Sequence, residues 1–252
     1  MLHLKNVNVA VGSGSRFEKK ILEDFNLSMQ EGELVVVIGP NGAGKSTLLG
    51  AISGGVSLDS GKIQVAGKEI SSLAPHQRTA LIAQVLQDPK NSTMGSMTLE
   101  ENLSFAYKRG QRRGLVPYST KARRDLFRKK LSLLGMGLEN RMNELSSNLS
   151  GGQQQALSLV MAMTTESKIL LLDEITSALD PKMADRVMEI TNNLVKQSKQ
   201  TTLMITHHMS YALKYGDLTL VLKDGKIFKT LNTEDKKNLS LKDLRALFDN
   251  DH

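Results

Sequence analysis

Nine consecutive residues, Gly39-Pro40-Asn41-Gly42-Ala43-Gly44-Lys45-Ser46-Thr47, follow directly on the apolar run Leu34-Val35-Val36-Val37-Ile38. A buried strand running into a glycine-rich turn that ends in Lys-Ser is suited to hold phosphate. Gly42 and Gly44 can take backbone conformations closed to other residues, so successive N–H groups can point at one anion. A helix opening at Lys45 adds the positive end of its dipole. The Lys45 ammonium then reaches the β- and γ-phosphates of a nucleotide, and the Ser46 hydroxyl ligates Mg²⁺. A second run, Ile169-Leu170-Leu171-Leu172-Asp173-Glu174, delivers two carboxylates at the end of an apolar strand. That end is the ligand edge of a parallel sheet. Asp173 there can hold the metal, and Glu174 can accept a proton from a water attacking the γ-phosphate. A third run, Leu149-Ser150-Gly151-Gly152-Gln153, precedes a helical stretch to Met163. Ser150 has the makings of an N-cap, and the two glycines let a ligand approach backbone N–H groups at a helix start.

The elements that must position these groups read as α/β. Leu2 to Val9 alternates apolar and polar residues, as a half-buried strand does, and Phe25 to Met29 reads as a second strand. Leu34 to Ile38 is apolar throughout, which fits a strand buried on both faces of a parallel sheet. A helix is expected from Lys45 to about Ser53, and strands at Lys62–Ala66, Leu81–Leu86, Ile169–Leu172, Thr202–Ile205 and Leu218–Leu222, with a hairpin turn at Asp224-Gly225. From Thr98 to Leu145 the chain turns helical and charged, a subdomain inserted into the α/β core, with an exposed loop at Gly110–Ser119. The expected division is one domain over 1–252. Its core lobe takes about 1–90 and 160–235, its helical subdomain about 91–159, and its C-terminal helical tail, with Ser240 as N-cap, about 236–252.

Composition narrows the setting. The 252 residues include no cysteine, which excludes disulfides and thiolate metal sites and fits a reducing compartment. No run approaches the about 18 apolar residues of a membrane span, and the first residues do not begin a signal peptide. Net charge is +7, yet Lys108 to Lys130 alone carries ten Lys or Arg against Asp125. That stretch can be a solvated helix face, a contact for an anionic membrane surface or one for nucleic acid, although its aromatic interleaving is thin.

Phosphate loop, LSGGQ and LLLDE, in this order and spacing, resemble the nucleotide-binding subunit of an ATP-binding cassette (ABC) transporter. Gln87 is similar to that family's Q-loop glutamine, Ser177-Ala178-Leu179-Asp180 to its D-loop, and His207 to its switch histidine. The resemblance implies a P-loop NTPase with a mainly parallel core sheet, an antiparallel β subdomain and an inserted helical subdomain. It implies ATP and Mg²⁺ as ligands, with Gly39, Asn41, Gly42, Ala43, Gly44, Lys45, Ser46 and Thr47 around the phosphates and Ser46, Gln87 and Asp173 at the metal. It also implies two cassettes packed head to tail. Ser150, Gly151, Gly152 and Gln153 of one then touch the nucleotide of the other, and Asp180 connects the two sites. Lys45, Glu174, His207 and Gln87 are the implied catalytic set. The segments Met97–Leu103 and Tyr107–Gly110 look like one bacterial importer group assigned to aromatic amino acids or left unassigned. The implied partners are therefore a second ATPase subunit, an integral-membrane permease and an extracytoplasmic solute-binding protein, with the chain peripheral on the cytoplasmic face of the inner membrane. No nucleic acid is expected. The rival reading, a soluble ABC ATPase acting on nucleic acid or ribosomes, draws on the basic stretch. Departures from the pattern are Val11, where the family stacks an aromatic on adenine (Phe17 is the nearest substitute), Ile175 and His208.

Overall fold

The computed structural model describes residues 1–12, 18–111 and 119–249. Strand β1 (Leu2–Val11) pairs antiparallel with β2 (Lys19–Met29), and β3 (Leu34–Ile38) leads through the glycine-rich turn into α1 (Lys45–Ser53). There follow β4 (Ser60–Val65), β5 (Lys68–Glu69), the single turn α2 (Pro75–Arg78) and β6 (Ile82–Val85). Helices α3 (Leu99–Tyr107), α4 (Lys121–Ser132) and α5 (Gly151–Ala162) come next. Then come β7 (Ile169–Asp173), α6 (Pro181–Ser198), β8 (Thr202–Ile205), α7 (Met209–Lys214), β9 (Leu218–Lys223), β10 (Lys226–Asn232), α8 (Thr233–Lys237) and α9 (Leu241–Asp249).

Six strands form one sheet in the order β10-β9-β3-β8-β7-β6, parallel except for the β9–β10 hairpin. Asp224 and Gly225, both at positive φ, make that hairpin's two-residue turn. A second, antiparallel sheet runs β2-β1-β4-β5. The sheets and helices enclose two cores, and β3 serves both. Val35 and Val37 face the core shared with α1 and the antiparallel sheet. Leu34, Val36 and Ile38 face the core shared with α3 to α6. An unbroken apolar run is the only pattern that satisfies both faces.

Strand β2 begins six residues before the expected Phe25. As an edge strand of its sheet it exposes Lys19, Lys20 and Asp24, and its register against β1 shifts near Asp24, which sits at φ 44°. Exposed charges and a bulge erase the period-2 signal on an edge. Of the expected loop at Gly110–Ser119, residues 112–118 lie outside the described residues. Ser240 caps α9 as its sequence suggests, exchanging hydrogen bonds with Asp243.

Much of the basic stretch is spent inside the molecule. Arg109 donates to the carbonyls of Ala162 and Thr165, and Lys130 to that of Met163, so two cations sit on the C-terminal carbonyls of α5. Arg124 pairs with the buried Glu100 at 3.0 Å, and Arg123 stacks over Tyr107. Lys121, Arg128 and Lys129 are exposed on α4.

α1 is served in the same way. Arg78, only 3% exposed, donates through Nη1 to the carbonyls of Ala51 (2.7 Å) and Ile52 (2.9 Å) in the helix's last turn. It also donates to the carbonyls of Ser71 through Nη2 and Leu73 through Nε, each at 2.9 Å. Replacing Arg78 with Met leaves these buried carbonyls without donors, which costs about 1–3 kcal/mol. Thermal unfolding should fall by about 2–12 °C for a chain this size. A melting temperature equal to wild type would refute the capping role.

Candidate active site

The helix start at Lys45 is shaped by what surrounds Gly44. This residue is the N-cap of α1 at φ 96°, and a Cβ on it would lie 2.8 Å from the Ile21 carbonyl oxygen and 2.9 Å from Leu22 Cδ2. Strand β2 therefore presses against the loop, and only glycine fits both the space and the left-handed backbone. Gly42, at φ 82°, has open space where its Cβ would be, so its requirement is conformational alone. Gly39, Asn41, Ala43, Ser46 and Thr47 line the same turn, with Ala43 buried and Asn41 and Ser46 exposed.

Lys45 is 6% exposed, and its Nζ donates to the carbonyls of Gly39 (2.8 Å) and Pro40 (3.0 Å). Burial lowers its pKa, while the carboxylates of Glu174 and Asp173 pull it back up. Those two acids arrive from β7, two strands away from β3 across β8. Asp173 is paired with Ile205 at the end of β8, and its pKa is raised by burial and by the neighbouring Glu174, against the opposing pull of His207 and Lys45.

Consecutive residues of an extended strand point to opposite faces. Glu174 escapes that rule by turning left-handed, at φ 46°, a conformation that costs a non-glycine residue about 1–2 kcal/mol. Its N–H donates to the Ile205 carbonyl (3.1 Å) and its own carbonyl accepts from Ser177 N–H (3.0 Å), which hold the turn. The carboxylate ends 2.5 Å from His207 Nε2, on the segment that leaves β8. Lys45, Asp173, Glu174 and His207 thus meet at the C-terminal edge of the parallel strands. His208 is exposed at the start of α7.

Gln87 lies just beyond β6, exposed. Ser150 caps α5: its Oγ accepts from Gln153 N–H (3.4 Å) and its N–H donates to Gln153 Oε1 (3.1 Å). Gly151 lies near Leu179, 3.6 Å from where its Cβ would be, and Gly152 packs on Met183, so this helix start sits against α6. Asp180 caps that helix, accepting from Met183 N–H at 3.1 Å. Val11 is 62% exposed at the end of β1, and Phe17 lies outside the described residues.

Two residues that the motifs do not mark complete the picture. Gln155, 2% exposed, donates to the Leu86 carbonyl (3.3 Å), tying α5 to the residue before Gln87. Arg141, held by Glu144, reaches Gln153 Oε1 at 3.4 Å. Gln155 falls within two residues of the LSGGQ run, but its partner is 69 positions away, and no sequence pattern announces such a pairing.

A glycine-rich turn after a central parallel strand, an ammonium at a helix start and paired carboxylates one strand removed define a P-loop nucleoside triphosphatase. The ABC transporter family model matches residues 22–177. The chain is 36% identical over 252 residues to the tyrosine transport ATP-binding protein of Clostridioides difficile (strain R20291), spanning 99% of each. It is 31% identical over 205 residues to the thiamine import ATP-binding protein ThiQ of Escherichia coli (strain K12), spanning 81% of this chain and 82% of that one. Among solved structures it resembles the ATP-binding cassette MJ0796, a dimer in a post-hydrolysis state bound to ADP and Pi (TM-score 0.78, 28% identity, 92% of this chain and 99% of that one). It likewise resembles the ADP conformation of the cassette MJ1267 (TM-score 0.81, 25% identity, 98% of each). The chain belongs to the ABC transporter family and is an ATP-hydrolysing, nucleotide-binding cassette.

The two loop glycines give a direct test. Gly42→Ala should destabilise the nucleotide-free protein by about 1–2 kcal/mol, the cost of a left-handed alanine. Gly44→Ala adds the collision with Ile21 and should melt several degrees lower still. Equal melting temperatures for the two variants would contradict the close packing of β2 on the loop.

Proposed function

We propose that this chain is the motor subunit of an importer, hydrolysing ATP as a homodimer to drive solute through a separate integral-membrane permease. The observation that carries the reading is that one chain has two phosphate-directed helix starts built on different elements. Lys45, Asp173, Glu174 and His207 gather at one sheet edge, whereas Ser150 to Gln153 present their helix start beside α6. One protomer then holds two half-sites, and two protomers facing head to tail make two whole ones. Residues 91–159 form the lobe that brings Ser150 to the partner's nucleotide, set between the core segments 1–90 and 160–235.

The residue roles follow from their chemistry. Lys45 and the loop N–H groups balance phosphate charge, and Glu174 takes a proton from the attacking water as its oxygen bonds to the γ-phosphorus and the bond to the β–γ bridging oxygen breaks, releasing ADP and phosphate. His207 steadies the γ-phosphate, and Asp180 links the two sites. The donor set fits a hard divalent cation: the Ser46 hydroxyl, the Gln87 amide oxygen and Asp173, whose carboxylate is crowded by Glu174. These three would hold Mg²⁺, which when bound supplies charge neutralisation on the phosphates. Closing the site from water makes such positioning effective.

Support for a permease partner comes from a groove of about 830 Å³ lined by Leu86, the residue before Gln87, together with Met94 and the 45%-exposed Phe105. Similarity over 99% of both chains to a tyrosine transport subunit supports an amino-acid importer, with an extracytoplasmic solute-binding protein, as the setting. Among the described residues no helix is long and apolar enough to cross a membrane, consistent with a peripheral place on the cytoplasmic face of the inner membrane. The rival nucleic-acid reading loses ground because Arg109, Arg123, Arg124 and Lys130 are engaged within the fold.

Complementation tests the shared site. Lys45→Ala and Ser150→Arg should each abolish hydrolysis alone. Mixed, they can form a dimer in which the intact loop of one meets the intact Ser150 segment of the other, and part of the activity should return. No recovery on mixing, with both variants folded, would count against action across the dimer.

A further inference from the structure

A chain of buried hydrogen bonds joins the wall of the groove lined by Leu86 to the start of α5. Asn102, in α3, is fully buried among Leu99, Leu103 and Ala106. Its Oδ1 accepts from Met94 N–H at 2.8 Å. Its Nδ2 lies 3.1 Å from the Met94 carbonyl, 3.2 Å from that of Met97, 3.0 Å from that of Thr98 and 3.3 Å from Ser146 Oγ. Ser146 is also fully buried, and it donates its hydroxyl to the Met94 carbonyl (2.8 Å) and its N–H to that of Met97 (2.9 Å). The Ser146 carbonyl in turn accepts from Gln154 Nε2 at 3.0 Å, one residue beyond the LSGGQ run. Gln155 closes the loop on the Leu86 carbonyl.

Leu86 and residues 91–94 line the groove, and Gln154 and Gln155 lie in the first turn and a half of α5. A buried polar network whose members are all bonded is rigid and fixes one arrangement. We infer that Asn102 and Ser146 are positioning residues for Ser150–Gln153, locking this segment to the groove wall so that the two move as one body. The inference rests on the trans role of Ser150 proposed above.

The experiment uses the full chain with Ser146→Ala, which deletes one hydroxyl and keeps every main-chain bond, and Asn102→Asp, which keeps shape but turns donors into a carboxylate facing three carbonyls. Hydrogen exchange is followed with ADP bound, and steady-state hydrolysis is measured well below the melting temperature. In Ser146→Ala, exchange across residues 150–155 should quicken about tenfold, the scale of one lost buried hydrogen bond, while residues 39–53 stay as in wild type. The kcat should fall by a similar factor and KM should change by less than about twofold, since nucleotide binding within the protomer is untouched. Asn102→Asp should act in the same direction and more strongly; if it does not fold, Ser146→Ala decides the matter alone. Wild-type exchange at 150–155, or a lowered melting temperature with unchanged kcat, would overturn the inference. The exchange measurement needs no dimer, so a failure of the trans reading would appear in the mixing experiment instead.

Discussion

A single buried ammonium organises this molecule. Lys45 carries a full charge at a position nearly sealed from water, and an unpaired buried charge costs several kcal/mol. Compensation comes from two directions: the Gly39 and Pro40 carbonyls at the head of the loop, and the carboxylates of Asp173 and Glu174 across the sheet. That compensation relies on β7 ending near the start of α1, across β8, while the left-handed turn at Glu174 also brings its carboxylate to His207. The same charge balance is what polyphosphate and a divalent cation would join. The site is therefore arranged for highly charged ligands before any arrives.

The two helices proposed to face phosphate obey one electrostatic rule. α1 presents its positive end at Lys45, and its negative end is met by Arg78 on the Ala51 and Ile52 carbonyls. α5 offers its positive end at Ser150, and its last carbonyls are met by Arg109 and Lys130. α1 has no side-chain cap at Gly44, whereas in α5 the Ser150–Gln153 capping box takes the Gln153 N–H; the other end of each helix is met by cations within the fold. The excess of basic residues between Lys108 and Lys130 acquires a physical reason here, because part of it serves the helix that carries the LSGGQ run.

Legibility in the sequence tracked burial and punctuation. Leu34–Ile38, Ile169–Leu172, Thr202–Ile205 and the helix from Lys45 could be read directly, since strands buried on both faces are almost wholly apolar and Gly39 to Gly44 mark the passage from the first of them into the helix. The start of β2 could not, because an exposed, bulged edge strand has no clean alternation. Motif residues were legible as types, but their meeting was not. That Glu174 reaches His207 depends on β7 lying beside β8 in a register that puts Asp173 opposite Ile205. The roles of Arg78, Asn102, Ser146 and Gln155 gave no signal, although Asn102 and Gln155 fall in or beside segments that do. Their partners are main-chain carbonyls or hydroxyls set by tertiary packing, and a buried amide or guanidinium looks the same in a sequence as an exposed one.

The proposed pairing, in which two copies of this chain complete each other's sites around ATP, is read from the solution mass of Glu174→Gln, which should retain nucleotide without hydrolysing it, measured with Mg-ATP and again with ADP. A dimer with ATP and a monomer with ADP are expected. A monomer under both conditions, in protein shown by titration to have bound ATP, would contradict the pairing.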